Sequence, residues 1–291
     1  LTKQLDSIRN STFQDIEVLI CDDGSTDETS NIVAQYKQQY PDFIIKFYEN
    51  EFNLGFIKNF INGLKKCKSS YTMFCDQDDI WNKDKIEKTL KKMKETEQDE
   101  FNIPTMVFTD ACIFDVATQK ERGSFHKAGK LDITKTDIAA LLIENKCTGC
   151  TMMMNQAVAN QIKIIPQKAR LHDWWIALIC SSMGKIEYLP EMTLKYCQHE
   201  NNVVGSNTFG SYVLNRLKSF SKQKQVIYNT ILQAKEFYDI YEEELSEEVK
   251  EIIYHFTQLR TYSYIKRRRI LFQYGYFKTG LIRNLALFIL I

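Results

Sequence analysis

Two stretches decide the fold: Val18-Leu19-Ile20-Cys21-Asp22-Asp23-Gly24-Ser25 and Tyr71-Thr72-Met73-Phe74-Cys75-Asp76-Gln77-Asp78-Asp79. Each is a short apolar run that ends in adjacent carboxylates. The first leads into a helical pattern from about Asp27 to Tyr40, the second into a Lys-rich one from about Lys83 to Lys94. Between them, Phe43 to Tyr48 reads as a strand and Gly55 to Cys67 as a helix. Short apolar runs alternating with amphipathic segments mark βα units, so the expected class is α/β with a mostly parallel central sheet flanked by helices.

The rhythm then loosens. Thr105 to Phe108, Cys112 to Val116 and Ile186 to Leu189 read as strands, and Ile138 to Ile143 as a helix. Trp174 to Met183 reads as a strongly apolar helix ended by Gly184. The three Met of the run Thr151 to Met154 suit core filling better than a cofactor box. From about Ser211 onward helix formers dominate, which divides the chain into residues 1–210 and a C-terminal helical region, 211–291.

Composition narrows the function classes. In 291 residues with 44% hydrophobic and 26% charged side chains, 11 Gly and 4 Pro exclude collagen-like and disordered chains. A net charge of +1 removes the whole-chain case for a nucleic-acid partner. The eight Cys lie mostly in apolar runs, as buried thiols of a reducing compartment do. Cys147 and Cys150 have no second Cys or His pair at zinc-ribbon spacing, so two small core thiols is the better reading. With no secretory leader and no stretch of about 18 apolar residues, a cytoplasmic location is expected. The chain opens on Leu1 in a helical pattern, Leu1, Leu5 and Ile8, which leads us to expect a preceding segment.

Charge reverses near the C-terminus. After Glu251 no acidic residue occurs, while Arg260, Lys266, Arg267, Arg268, Arg269, Lys278 and Arg283 interleave with Tyr and Phe. A solvated helix face and contact with an anionic membrane surface are equally good accounts. The apolar end, Leu285 to Ile291, is too short to span a bilayer, and either lies in an interface or is core.

Four clusters carry groups suited to chemistry. Asp22-Asp23-Gly24-Ser25 lies where a strand gives way to a helix, the place where open α/β sheets bind ligands, and its carboxylates suit a nucleobase and a ribose hydroxyl. A helix cap explains Ser25 but not two adjacent charges. Asp76-Gln77-Asp78-Asp79 packs three carboxylates that repel unless a cation intervenes, which suits Mg²⁺ or Mn²⁺ with a phosphorylated substrate; an acidic surface turn is the plain alternative. In His172-Asp173-Trp174-Trp175 a carboxylate opens an apolar helix beside two large aromatics, a pattern that also fits an N-capped core helix. Gln198-His199, ahead of Asn202-Val203-Val204-Gly205, sits in a polar run where His199 can reach a metal or a phosphate.

In order and spacing these clusters resemble the family 2 glycosyltransferases of GT-A fold. Gln4-Leu5-Asp6-Ser7-Ile8, Asn53-Leu54-Gly55 with Asn59, Ile80-Trp81 and Thr148-Gly149-Cys150 extend the resemblance over residues 1 to about 205. It is nearest to bacterial rhamnosyltransferase-type members that build capsule or O-antigen polysaccharide. The resemblance implies a nucleotide-sugar donor, with dTDP-rhamnose the first choice, and a lipid-linked oligosaccharide acceptor at the inner membrane surface. UDP-linked glucose, galactose or N-acetylhexosamine donors, or a truncated non-catalytic binding module, are the alternatives. It further implies that Asp22, Asp23, Ser25, Asn53 and Asp76 bind the nucleotide and that Asp78 and His199 hold Mg²⁺ or Mn²⁺. Asp173 is implied as the base of an inverting transfer, with Gly149, His172, Trp174 and Trp175 lining the acceptor or sugar pocket. Family members begin with an apolar strand at the sheet centre, ahead of the element that opens this chain. Without it, the neighbouring strands are expected to lack ladder partners.

Overall fold

The computed structural model describes residues 1–198 and 220–291. The N-terminal part runs α1 (Thr2–Arg9), β1 (Val18–Asp22), α2 (Thr29–Gln39), β2 (Ile45–Glu49), α3 (Phe56–Lys66), β3 (Tyr71–Met73), β4 (Ile80–Trp81) and α4 (Lys85–Glu97). It continues with β5 (Thr105–Asp115), β6 (Lys120–Ser124), α5 (Phe125–Gly129), α6 (Ile138–Ile143), β7 (Met152–Asn155), α7 (Gln156–Gln161), α8 (His172–Met183) and β8 (Lys185–Gln198). Helices α9 (Phe220–Tyr241), α10 (Glu247–Thr257), α11 (Tyr264–Tyr274) and α12 (Leu281–Leu290) complete it. The α/β class and the C-terminal helical region are as expected; the boundary expected near residue 210 lies outside the described residues.

The pairing corrects one expectation: the sheet is mixed rather than mostly parallel. Strands β1 and β2 form a parallel pair, Val18 opposite Ile45, while a second sheet of six strands has the order β3-β7-β5-β8-β4 with β6 on the edge of β5. Within it only β5 and β8 run parallel. Among the described residues no ladder joins β1 to β3. Side chains bridge the interval instead: Ile8 of α1 shares an apolar cluster with Val18, Tyr71 and Met73.

Helix α8 is buried along nine of its twelve residues, His172 to Cys180, because it is apolar on every side and must be enclosed. It is covered on one flank by the sheet and α6, and on another by the C-terminal helices. Trp175 meets Phe237 at 5.3 Å and Tyr241 at 6.3 Å between ring centroids, so one core runs from Met152 and Met154 through Trp175 to Phe256 and Leu287. The three Met are fully or almost fully buried, as core filler should be.

Gly184 ends α8 and starts the return into β8. A Cβ there would lie 1.8 Å from the Pro104 carbonyl oxygen, the atom that accepts the Lys185 N–H at 2.9 Å. Only glycine lets β8 enter beside the start of β5. Gly184→Ala is therefore expected to cost roughly 2–4 kcal/mol, because a backbone atom cannot yield, and to lower the Tm by several degrees in thermal unfolding.

Candidate functional site

The turn after β1 is closed by its own carboxylate. Ser25 donates its backbone N–H to Asp22 Oδ2 at 2.9 Å and its hydroxyl to Oδ1, and Asp22 is buried. Asp23 uses both oxygens on the opposite loop: Oδ1 accepts the Leu54 N–H at 2.8 Å and Asn50 Nδ2 at 2.9 Å, and Oδ2 accepts the Gly55 N–H at 2.8 Å. Asn53 Nδ2 returns a bond to the Asp23 carbonyl at 2.9 Å. Gly24 and Gly55, with φ of 84° and 83°, occupy the left-handed region that these tight turns require. Asp22, Asp23, Ser25 and Asn53 thus meet at the carboxyl ends of β1 and β2. Their first structural task is to hold two loops together around exposed Gly24 and Ser25.

The second cluster follows β3. Ligand atoms of Asp76, Asp79 and Cys150 lie within 4.8 Å of one another. Asp79 is 1% exposed; its Oδ1 accepts the Cys197 N–H of β8 at 3.2 Å, and its Oδ2 has no polar partner. Burial, then the charge of Asp78, lifts the Asp76 carboxyl to about 6, and burial, then the charge of Asp76, lifts that of Asp79 to about 7. Nearby Lys85 is fully buried, donates to Thr193 Oγ1 at 3.1 Å and is lowered to about 8 by burial. Carboxylates crowded in this way, one with an orphaned buried oxygen, are a donor set that fits a hard divalent cation. The Cys150 thiol is pushed far up by burial and by both acids, so it stays protonated and is a poor ligand for such an ion. Half-buried Asp78 stands beside this group but is not part of it, and His199 lies outside the described residues.

The third cluster is built around the first turn of α8. Asp173 Oδ1 accepts Asn145 Nδ2 at 3.0 Å and the Trp174 N–H at 2.6 Å, and Oδ2 accepts the Gly149 N–H at 2.9 Å. Burial raises this carboxyl to about 7 against the pull of those donors, and the charge of Asp76 adds to the rise. Oδ2 carries one donor and has a lone pair to spare. His172 stacks on Phe60 with centroids 4.0 Å apart and meets Phe56 and Phe74 edge-on. Neither of its ring nitrogens has a polar partner, and burial lowers it to about 3, so it is neutral. A Cβ on Gly149 would come within 2.8 Å of His172 Nε2, which explains glycine beneath the carboxylate.

Two expected pocket residues prove to be core. Trp174 is 4% exposed and donates Nε1 to the Leu141 carbonyl; Trp175 is 0% exposed against α9. Large aromatics on an all-apolar helix have more area to bury toward the C-terminal helices than toward a cleft. The aromatic wall beside Asp173 consists instead of His172, Phe60 and half-exposed Phe56. Asn145 was missed in sequence, since one Asn in the polar break before Cys147 carries no signal. In space it is tied to the Cys147 N–H through Oδ1 at 3.1 Å and aims its amide at Asp173.

Comparison with known proteins extends this description. Residues 1–161 match the family described as glycosyl transferase family 2. The dTDP-rhamnosyl transferase RfbG of Shigella flexneri is 32% identical over 222 residues, 71% of either chain. An uncharacterized glycosyltransferase of Haemophilus influenzae is 29% identical over 69% of this chain and 62% of its own. Among solved structures, S. aureus TarS 1-349 in complex with UDP-GlcNAc superposes with a TM-score of 0.57 at 18% identity, over 94% of this chain and 69% of that one. The mannosyltransferase PcManGT from Pyrobaculum calidifontis, in complex with GDP-Man and Mn²⁺, gives 0.51 at 13% identity, over 94% and 75%. These two establish likeness of fold.

Two outcomes test the geometry directly. Asp79 binds its proton near pH 7 when folded and near 4 when unfolded, so its contribution lowers stability as pH rises from about 4 through 7. In chelator, Asp79→Asn should raise stability by roughly 2–4 kcal/mol at pH 8, a gain that shrinks toward zero as the pH is lowered to about 4. Thermal melts across that range measure it. Asn145→Ala removes one donor from Asp173 and should move its titration above 7, read from the carboxyl ¹³C shift.

Proposed function

The chain belongs to glycosyl transferase family 2 and is a glycosyltransferase, and from that premise we propose that it transfers a sugar with inversion from a nucleotide donor to an acceptor hydroxyl. Asp173 carries the reading. A carboxylate fixed by three donors and titrating near neutrality is suited to take the proton of a hydroxyl as its oxygen attacks the anomeric carbon. The bond from that carbon to the diphosphate breaks on the opposite face, and the nucleoside diphosphate leaves with the bonding pair. Asn145 and the Gly149 N–H hold the carboxylate in place, and neutral His172 with Phe60 keeps water from its flank.

In this proposal Asp22, Asp23, Ser25 and Asn53 form the nucleotide cradle, and Asp76 also contacts the nucleotide. Asp76 and Asp78 would hold Mg²⁺ or Mn²⁺, with the unpartnered Oδ2 of Asp79 available to the same ion while its Oδ1 accepts the Cys197 N–H of β8. The ion, when bound, neutralises the charge that develops on the departing diphosphate. The 32% identity to a dTDP-rhamnosyl transferase supports dTDP-rhamnose as donor. We take the acceptor to be a lipid-linked oligosaccharide presented at the cytoplasmic face of the membrane, in the assembly of a capsule or O-antigen.

Calorimetric titration of dTDP, UDP and GDP, with and without Mn²⁺, tests the donor class. Metal-dependent binding of dTDP alone is expected, and binding of UDP or GDP in its place would move the donor assignment. Asp173→Asn should lower transfer by at least about 10³-fold while nucleotide affinity stays within about twofold, because only the proton acceptor is lost. Equal loss of both would make Asp173 structural. Asp78→Ala should remove the Mn²⁺-dependent part of nucleotide binding.

A further inference from the structure

Helices α11 and α12 reverse the usual rule for a solvated helix. On α12 the outward positions are Leu281, Ile282, Leu285 and Ile289, exposed by 75%, 52%, 53% and 69%. They fall at i, i+1, i+4 and i+8, so they form one face, opposite buried Leu287. On α11 Tyr264, Ile265 and Phe272, at i, i+1 and i+8, are exposed, while Ile270 and Leu271 are buried. Seven of the fifteen large apolar side chains exposed among the described residues therefore lie on these two helices. A face of this kind marks an interaction surface.

The two faces belong to one surface. Arg268 donates to the Phe288 carbonyl while its guanidinium lies 3.6 Å over the Tyr264 ring, and Phe272 stacks on Phe288 with centroids 5.3 Å apart. Arg268 and Arg269 flank Ile265 and Phe272, and together with Tyr264 and Gln273 they line a shallow open depression. No acidic residue occurs between Ile252 and Ile291, while from other elements Glu144 pairs with Arg283 at 3.1 Å and Asp132 and Asp137 lie beside Leu281. Apolar side chains at the centre with Arg268 and Arg269 beside them complement a bilayer surface rich in anionic lipid. There, aliphatic groups enter the acyl boundary and arginines meet phosphates. A water-exposed protein partner does not explain why α12 offers four aliphatic side chains and no outward polar one. No helix of the described residues is long and apolar enough to cross a membrane.

We propose that the outward faces of α11 and α12 form a docking surface for an anionic lipid bilayer, on which the protein lies without spanning it. This deepens the reading of a lipid-linked acceptor and draws its purpose from it, because a docked enzyme meets its acceptor in two dimensions. The test is cosedimentation of the full chain with vesicles of phosphatidylglycerol mixed with phosphatidylcholine, against phosphatidylcholine alone. We expect binding to the mixed vesicles that weakens with salt. It should fall about tenfold or more in Leu285→Glu/Ile289→Glu, which puts charge into the apolar boundary. If that double variant fails to fold in a thermal melt, Arg269→Glu serves instead, with a smaller loss expected. Wild-type levels of binding by a folded variant, or sedimentation with neither vesicle, would overturn the proposal. So would a dimer in velocity sedimentation that Leu285→Glu/Ile289→Glu dissolves, since the face would then cover a second copy. Hydrolysis of a soluble nucleotide sugar without vesicles should be unchanged in the double variant, so failure of docking and failure of the catalytic reading are told apart.

Discussion

A carboxylate taken out of water has to be given donors, and the centre of this protein is arranged around doing so for Asp173. The Trp174 N–H is available because α8 begins there, and the Gly149 N–H because a glycine lets the backbone pass beneath the His172 ring. The Asn145 amide arrives because the segment between α6 and β7 is tied to it through Cys147. Remove any of these and a buried charge is left short of partners, a loss larger than the net gain of an ordinary hydrogen bond. The apolar surroundings of α8, Trp174 and Trp175 included, keep the site dry enough for the carboxyl to remain near 7.

The acidic cluster is placed by a different device, the long parallel pairing of β5 and β8. Once Gly184 admits β8 beside β5, the strand continues to Cys197, whose N–H meets Asp79, while β4 pairs with β8 at Leu194 and Lys195. The turn carrying Asp76, Asp78 and Asp79 is thus pinned at its far end by a strand more than a hundred residues later in the chain.

Much of this was legible in sequence where local chemistry and burial agree. The strand and helix order through α4, apart from the two-residue β4, the apolar α8 and the three polar clusters within the described residues follow from runs and periodicity. Two strands were read too short for a physical reason. β5 was expected as two pieces because Thr109-Asp110 interrupts the apolar run. Asp110 sits at a register break, where it accepts the Ala111 N–H at 2.8 Å and the Ser124 hydroxyl. β8 was expected to end at Leu189 because Pro190 follows, yet the same irregularity absorbs the proline, with Leu189 opposite Thr109 and Met192 opposite Asp110. The roles of Trp174, Trp175 and Asn145 were beyond local patterns, because burial by α9 and the direction of one amide are settled by residues far away in the chain.

Asp23 spends both its oxygens on Asn50, Leu54 and Gly55. The loop after β2 therefore has its shape before any ligand arrives, and the entropy lost in ordering those residues is borne by folding rather than by binding. A ligand that enters beside Gly24 and Ser25 then loses only its own freedom. Affinity for such a ligand is set by complementarity to a preorganised surface, and selectivity becomes a matter of fit rather than of induced closure.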